Sequence, residues 1–183
     1  MTGNGSWDGV QNFSESFLKF SPQLKLLDCF TPTNHFALDK ADNDLNSSVA
    51  TLIPGTHLVI GGGKEDALYT LDTRNFGHLG DEHAMQHFHA TVSHLHSLVY
   101  RVSDKNGPLL YVWGQRDKAK VYKFNGEKLA EAPLVMRDIP NEGHPGGDAV
   151  AVGERRPQRS SVGCEPRDRG FMARVAAWRA SRV

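Results

Sequence analysis

Five histidines crowd one short stretch of the chain, His83, His87, His89, His94 and His96. Residues two apart on an extended strand share a face, so His87 with His89 and His94 with His96 would each present two imidazoles together. Zinc needs three or four nitrogen, sulfur or oxygen ligands converging on one point. No cysteine or carboxylate pairs obviously with these rings, so the ordinary reading is a polar connecting loop. Asp42-Asn-Asp44-Leu-Asn46 opens like a calcium-binding EF-hand loop, but Ser47 stands at the glycine position and Ile53 at the bidentate glutamate position. Local Asx-turn bonding is therefore expected there rather than calcium. Gly61-Gly62-Gly63-Lys64 has Leu58 in place of the first P-loop glycine and Glu65 in place of the following hydroxyl residue, and reads as a hairpin turn.

Asn4-Gly-Ser6, Asn12-Phe-Ser14 and Asn46-Ser-Ser48 match the glycosylation acceptor pattern, which matters only in a secreted eukaryotic protein and arises by chance in Ser/Asn-rich loops. Trp7, Tyr111 and Trp113 could stack on a sugar, although aromatics at regular places in a β repeat more often serve packing. No catalytic residue and no metal-ligand set is assigned on these grounds, and cofactor-binding residues are unknown.

The chain of 183 residues is long enough to bury a core. Its formal charge is zero, but Arg155, Arg156, Arg159, Arg167, Arg169, Arg174, Arg179 and Arg182 supply eight of the 21 basic residues and offset an acidic excess in the rest. Charge thus gives the body no nucleic-acid footprint. Two cysteines, Cys29 and Cys164, form neither a disulfide framework nor a C-x-x-C pair. The first residues lack the basic and apolar regions of an export signal, and no apolar run reaches the roughly 18 residues of a membrane span. No membrane span is expected, and the compartment stays unassigned.

The elements that would position any site are short strands. Ser16-Phe-Leu-Lys-Phe-Ser21, Leu68-Tyr-Thr-Leu-Asp72 and Val121-Tyr-Lys-Phe-Asn125 share an alternating pattern closed by a polar turn. Their closing residues Phe20, Leu71 and Phe124 recur about every 50 residues, the period of propeller blades, and are expected at equivalent positions. Leu24–Leu27, His57–Gly61, Ser97–Val102 and Pro108–Trp113 read as further strands, with tight turns at 62–66, 104–107 and 114–117. No helix is expected in the body, and Gly80 to Ser93 is its least strand-like stretch. The fold class is all-β.

Leu58-Val-Ile-Gly-Gly-Gly-Lys-Glu-Asp-Ala-Leu-Tyr-Thr-Leu-Asp72 resembles the repeat of quinoprotein-type (pyrroloquinoline quinone, PQQ) β-propellers, in which a strand, Gly-Gly and a charged turn lead to Leu-Tyr-x-Leu-Asp. Further landmarks run in order at Gly3–Asp8, Asp42–Ser47, Leu52–Pro54, His94–His96, Leu110–Gly114 and Pro145–Gly147. The resemblance covers about four fifths of the chain and is closest to large exported proteins with PQQ-like repeats. It implies a propeller, and quinone with calcium only if the parent protein is a true quinoprotein. No catalytic base, quinone contact or vicinal cysteine pair maps onto this chain.

At Gly146–Gly147 the composition changes. Residues 148–183 hold no Lys, Asn or Tyr, and their Arg-, Ala-, Val-, Gly- and Pro-rich text is what translation out of frame produces. A shift of one nucleotide from Asp148 permits residues that resemble a further blade, ending in apolar alternation about one blade period beyond Phe124. The alternative is a genuine Arg-rich disordered tail. The expectation is a partial propeller of about two to three antiparallel four-stranded blades over 1–147, followed by a disordered or irregular out-of-frame tail over 148–183. Its function would be that of a non-catalytic fragment of an exported PQQ-like propeller, a binding or interaction scaffold. Part of a quinoprotein oxidoreductase, or a His-cluster metal-binding protein, is the alternative. No cofactor is expected for the fragment, nucleic acid is not an expected partner, and self-association through open blade edges is.

Overall fold

The structure, a computed structural model, describes residues 1–139. The composition break, Cys164 and the segment 148–183 lie outside the described residues. In chain order the strands are β1 (Phe17–Phe20), β2 (Leu26–Thr31), β3 (Thr51–Ile53), β4 (Leu58–Gly62), β5 (Ala67–Asp72), β6 (His78–Leu79), β7 (Gln86–His89), β8 (Leu95–Ser103), β9 (Gly107–Gly114), β10 (Ala119–Lys123) and β11 (Val135–Arg137). The described residues are all-β with one short helix, α1 (His35–Lys40), and two 3₁₀ turns at Leu45–Ser47 and Asp81–His83.

Three sheets result. The first has the order β1-β2-β6, the second β3-β4-β5-β7 and the third β11-β10-β9-β8. The second and third are wholly antiparallel, whereas β6 joins the first in parallel with β2, pairing Phe30 with His78. The second sheet lies between the other two, which explains its sequence. Val59, Tyr69 and Leu71 face a core shared with Phe17 and Phe30 of the first sheet. The alternate residues Leu58, Ile60 and Leu68 face a second core with Leu110, Val112 and Tyr122 of the third. A strand covered on both faces reads as a nearly continuous apolar run, and all five residues of β4 are buried. Each such large side chain contributes about 1.5–3 kcal/mol.

Leu71 and Phe124 sit correspondingly, in or just after the third strand of a four-stranded meander, and both pack toward the preceding sheet. Phe20 does not join them. It lies on the edge strand of a three-stranded sheet, beyond a bulge after Lys19, and is half exposed. Spacing alone cannot tell a strand at a sheet edge from one inside. Two of the sheets have the expected four antiparallel strands, whereas the first has three, one of them parallel.

Two further corrections concern local structure. Helix α1 follows Pro32-Thr33-Asn34, where the Asn34 carbonyl accepts from the Ala37 N–H at 2.8 Å. A helix this short does not stand on propensity, and burial of His35 and Leu38 holds it. The polar stretch 80–93 contains β7, an edge strand whose one inward aromatic, Phe88, packs on the second core. Gln86 then links two sheets, its amide donating to the Leu129 carbonyl at 2.9 Å and accepting from the Leu129 N–H at 2.9 Å.

Candidate functional site

The histidines fall into separate pairs rather than one constellation. His87 and His89 lie on β7 with ring centroids 6.1 Å apart, both exposed. His87 stacks on Tyr69 at 4.4 Å and 5°, while His89 Nδ1 pairs with the Asp66 carboxylate, which raises its pKa through that hydrogen bond. His94 and His96 belong to the start of the third sheet, 6.2 Å apart. His83 closes the 3₁₀ turn, with Nε2 3.7 Å from Glu82 Oε1. Among the described residues no three His, Cys, Asp or Glu side chains are placed to hold a metal ion.

Two motifs that look independent in the sequence are partners in space. The Lys64 ammonium reaches Asp44 Oδ2 at 2.5 Å, the Asp42 carbonyl at 2.8 Å and Asp42 Oδ2 at 3.1 Å. It thereby takes the place a cation would have beside the EF-like loop. The hydrogen bond to Asp44 raises the Lys64 pKa, and although burial opposes it, Lys64 holds Asp44 below its ordinary value. The three glycines before Lys64 serve close approach. A side chain on Gly61 would stand 2.7 Å from the Phe17 ring, and one on Gly62 or Gly63 would strike the Ala67 or Asp44 carbonyl oxygen.

Two acceptor-pattern asparagines have their amides engaged, Asn4 Nδ2 on Asp42 Oδ1 and Asn12 Nδ2 on Asp8 Oδ2, both at 2.7 Å; Asn46 is exposed on its 3₁₀ turn. Trp7 donates to Thr31 Oγ1 at 3.1 Å and lies 4.6 Å from the His35 ring, while the buried Trp113 of β9 donates to the Asp117 carbonyl at 3.2 Å. Tyr111 is half-buried on β9. Cys29 is buried, with Sγ 3.4 Å from His78 Nδ1, and burial, then Asp28, pushes its thiol pKa up. That environment opposes thiolate formation.

Sequence reasoning missed a layer of buried polar groups at one end of the first sheet. Ser14, Glu15, Ser16, Thr31 and His35 are all buried there. Ser16 Oγ and Thr31 Oγ1 are 2.8 Å apart, and His35 Nδ1 is 3.1 Å from the Pro32 carbonyl. Glu15 is fully buried with φ of 47°, and its Oε2 accepts from the Leu45 N–H at 2.6 Å. Glu15 Oε1, Asn34 Oδ1, His35 Nε2 and the Tyr69 hydroxyl have no hydrogen-bond partner. Burial, with Asp44 and Asp39 adding to it and the Leu45 N–H opposing, pushes the Glu15 carboxyl up to about 7. Near neutral pH Glu15 is then divided between its protonated and ionised forms, since burial and the neighbouring carboxylates disfavour its charge. The one visible signal was the alternation Ser14-Glu15-Ser16 running directly into buried Phe17.

An apolar cleft of about 410 Å³ opens beside this layer, lined by Met1, Phe17, Ala50, Leu52, Val59 and Phe76 among others. Lys19 closes one side by donating to the Thr73 carbonyl at 2.8 Å. No helix of the described residues is long and apolar enough to cross a membrane. Comparison with protein-family models, curated proteins and solved structures finds no match.

Proposed function

We propose that residues 1–147 are a run of PQQ-like propeller blades that works as a binding and interaction scaffold, without a reaction of its own. The observation that carries this reading is the repeated use of one pattern. Tyr69-x-Leu71-Asp72 and Tyr122-x-Phe124-Asn125 lie in, or run just past the end of, the third strands of two four-stranded antiparallel sheets, and in each the aromatic and its alternate neighbour face the sheet before. Serial face-to-face stacking of meanders is how propeller blades bury their cores. The Glu15 carboxyl, raised by burial, binds a backbone N–H rather than a nucleophile or base.

The test is titration of the purified protein with PQQ and Ca²⁺, followed by tryptophan quenching and by reduction of an artificial electron acceptor in the presence of alcohols or sugars. The expected result is neither saturable quinone binding nor dye reduction. Stoichiometric retention of quinone with turnover would favour the quinoprotein oxidoreductase, and stoichiometric Zn²⁺ retention lost in a His87→Ala, His89→Ala variant would favour a metal-binding protein.

A further inference from the structure

The first 16 residues form a strap across the end of the first and second sheets, and carboxyl groups fasten it. Asp39 Oδ1 accepts from the Gly5 N–H at 2.7 Å, Asp44 Oδ1 from the Asn4 N–H at 3.1 Å, and Asp42 Oδ1 from the Asn4 side chain at 2.7 Å. A fourth carboxyl runs the other way: Glu15, on the strap, reaches back to the Leu45 N–H at 2.6 Å. The strap closes on itself near that point, with the Glu15 N–H donating to the Gly3 carbonyl at 3.1 Å and the Thr2 N–H to the Ser16 carbonyl at 2.9 Å. Its first residue, Met1, packs against the core between the two sheets and lines the apolar cleft.

We infer that Glu15 is a proton-dependent pin, holding the strap and its Met1 plug closed while the carboxyl is protonated and releasing them when it ionises. Geometry carries this. The side chain is fully buried, one oxygen has no hydrogen-bond partner, and the backbone sits in the left-handed region that a non-glycine residue occupies only when its surroundings hold it there. The charged groups that act on it are Asp39 of α1, Asp44 of the following loop and Lys64 of the β4–β5 turn. Lys64 is already engaged by Asp42 and Asp44. With Glu15 neutral the three aspartates and Lys64 sum to −2, and ionisation adds a further negative charge to this acidic group; the strap's own cation is the Met1 ammonium, whose pKa burial lowers. An opened strap frees the carboxylate to water and uncovers Phe17, Val59 and Ala50 in the cleft.

Linkage fixes the shape of the response. The closed-state carboxyl titrates at about 7 and a solvated glutamate near 4.5. Opening therefore becomes about tenfold easier per pH unit between those values, about 300-fold in all, and levels off above 7.

The experiment is amide hydrogen exchange on the whole chain between pH 5 and 8.5, corrected for intrinsic exchange, following peptides within 1–16 and 39–47. Protection should fall about tenfold per unit up to pH 7 and then flatten, binding of an apolar fluorescent dye should rise over the same window, and Glu15→Gln should show neither trend. A flat profile in the natural protein, or the same slope in Glu15→Gln, would overturn the inference. Should Glu15→Gln fail to fold, carbon-detected NMR of the natural protein decides: a Glu15 carboxyl midpoint near 7 supports the pin, and one in the ordinary carboxylate range removes it.

Discussion

Tyr69 and Tyr122 occupy corresponding places in two successive sheets, yet their hydroxyls meet opposite fates, so Tyr→Phe at each is a matched pair. Tyr122 donates to the Ala90 carbonyl at 2.8 Å. That carbonyl also accepts from Lys120 Nζ at 2.9 Å, so Tyr122→Phe removes one bond without orphaning the acceptor. The loss should sit near the ordinary net value of a buried hydrogen bond, about 1 kcal/mol. The Tyr69 hydroxyl is buried with no hydrogen-bond partner. Its unpaired desolvation costs about 1–3 kcal/mol, and Tyr69→Phe abolishes that cost while keeping the ring against Phe30 at 5.4 Å and His87 at 4.4 Å. Tyr69→Phe should therefore be neutral or stabilising, and the two variants should differ by about 2 kcal/mol. Burial raises both phenols, Tyr122 to about 12, so at pH 7 only neutral hydroxyls are compared. Urea denaturation at pH 7 measures this, with equal m values required for the comparison. Destabilisation by Tyr69→Phe of about 1 kcal/mol or more at unchanged m would mean that the hydroxyl has a partner, and the reasoning about this layer would be wrong.

Lys64→Met should cost about 1–2 kcal/mol, between an exposed pair and a buried one broken on one side, since the Lys64 and Asp44 side chains are only 15 % and 21 % exposed; a cost under 0.3 kcal/mol in thermal melts would show that the contact is idle. Because the Asp44 pKa is lowered, its share of stability is present above the unfolded value near 4 and is lost as pH falls, a loss that Asp44→Asn should lack in acid titrations. Glu15 works oppositely: its raised carboxyl contributes stability fully present below about 4.5 and lost as pH rises to about 7, at most about 3 kcal/mol, so Glu15→Gln should be the more stable protein at pH 8. Leu71→Ala in the two-sided second sheet should cost about 2–5 kcal/mol, against less than about 0.5 kcal/mol for exposed Leu52→Ala. Finally, Phe20, Leu24 and Leu27, exposed by 50 %, 80 % and 53 % beside the β1 edge, should drive self-association, and replacing Phe20 and Leu27 by Glu should raise the monomer fraction in light scattering.

What the sequence made legible is what a single strand decides for itself. Alternation and turn residues located β4, β5, β8, β9 and β10 within a residue or two, because two-sided or one-sided burial writes a pattern directly into the strand. The edge strand β7 escaped because Gln86-His87-Phe88-His89 has one apolar side chain, and its place depends on the Gln86 bonds to Leu129 forty residues away. Helix α1 escaped for a like reason, its six residues being held by burial of Leu38 and His35 and not by a periodic stripe. Phe20 was misplaced because a 50-residue period reports recurrence along the chain, whereas its environment depends on which strand pairs outside it.

The functional residues follow the same division. Lys64 and Asp42–Asp44 were each visible as fragments of ion-binding motifs, but only the fold reveals that the lysine of one fragment pairs with the carboxylates of the other. Glu15 carried no motif at all. Its chemistry comes from four decisions taken elsewhere: the Leu45 N–H turned toward it, Asp39 and Asp44 placed near it, Lys64 spent on the aspartates, and water kept out by the strap that it fastens. A carboxyl becomes a proton-sensitive group when burial and like charges outweigh the donors that stabilise its charge, here the Leu45 N–H and the more distant Lys64. The two interfaces of this chain make the contrast plain. Between the second and third sheets Tyr122 finds the Ala90 carbonyl and the core is closed, while beside the first and second Tyr69 finds no partner among the described residues and the Glu15 carboxyl is raised by burial.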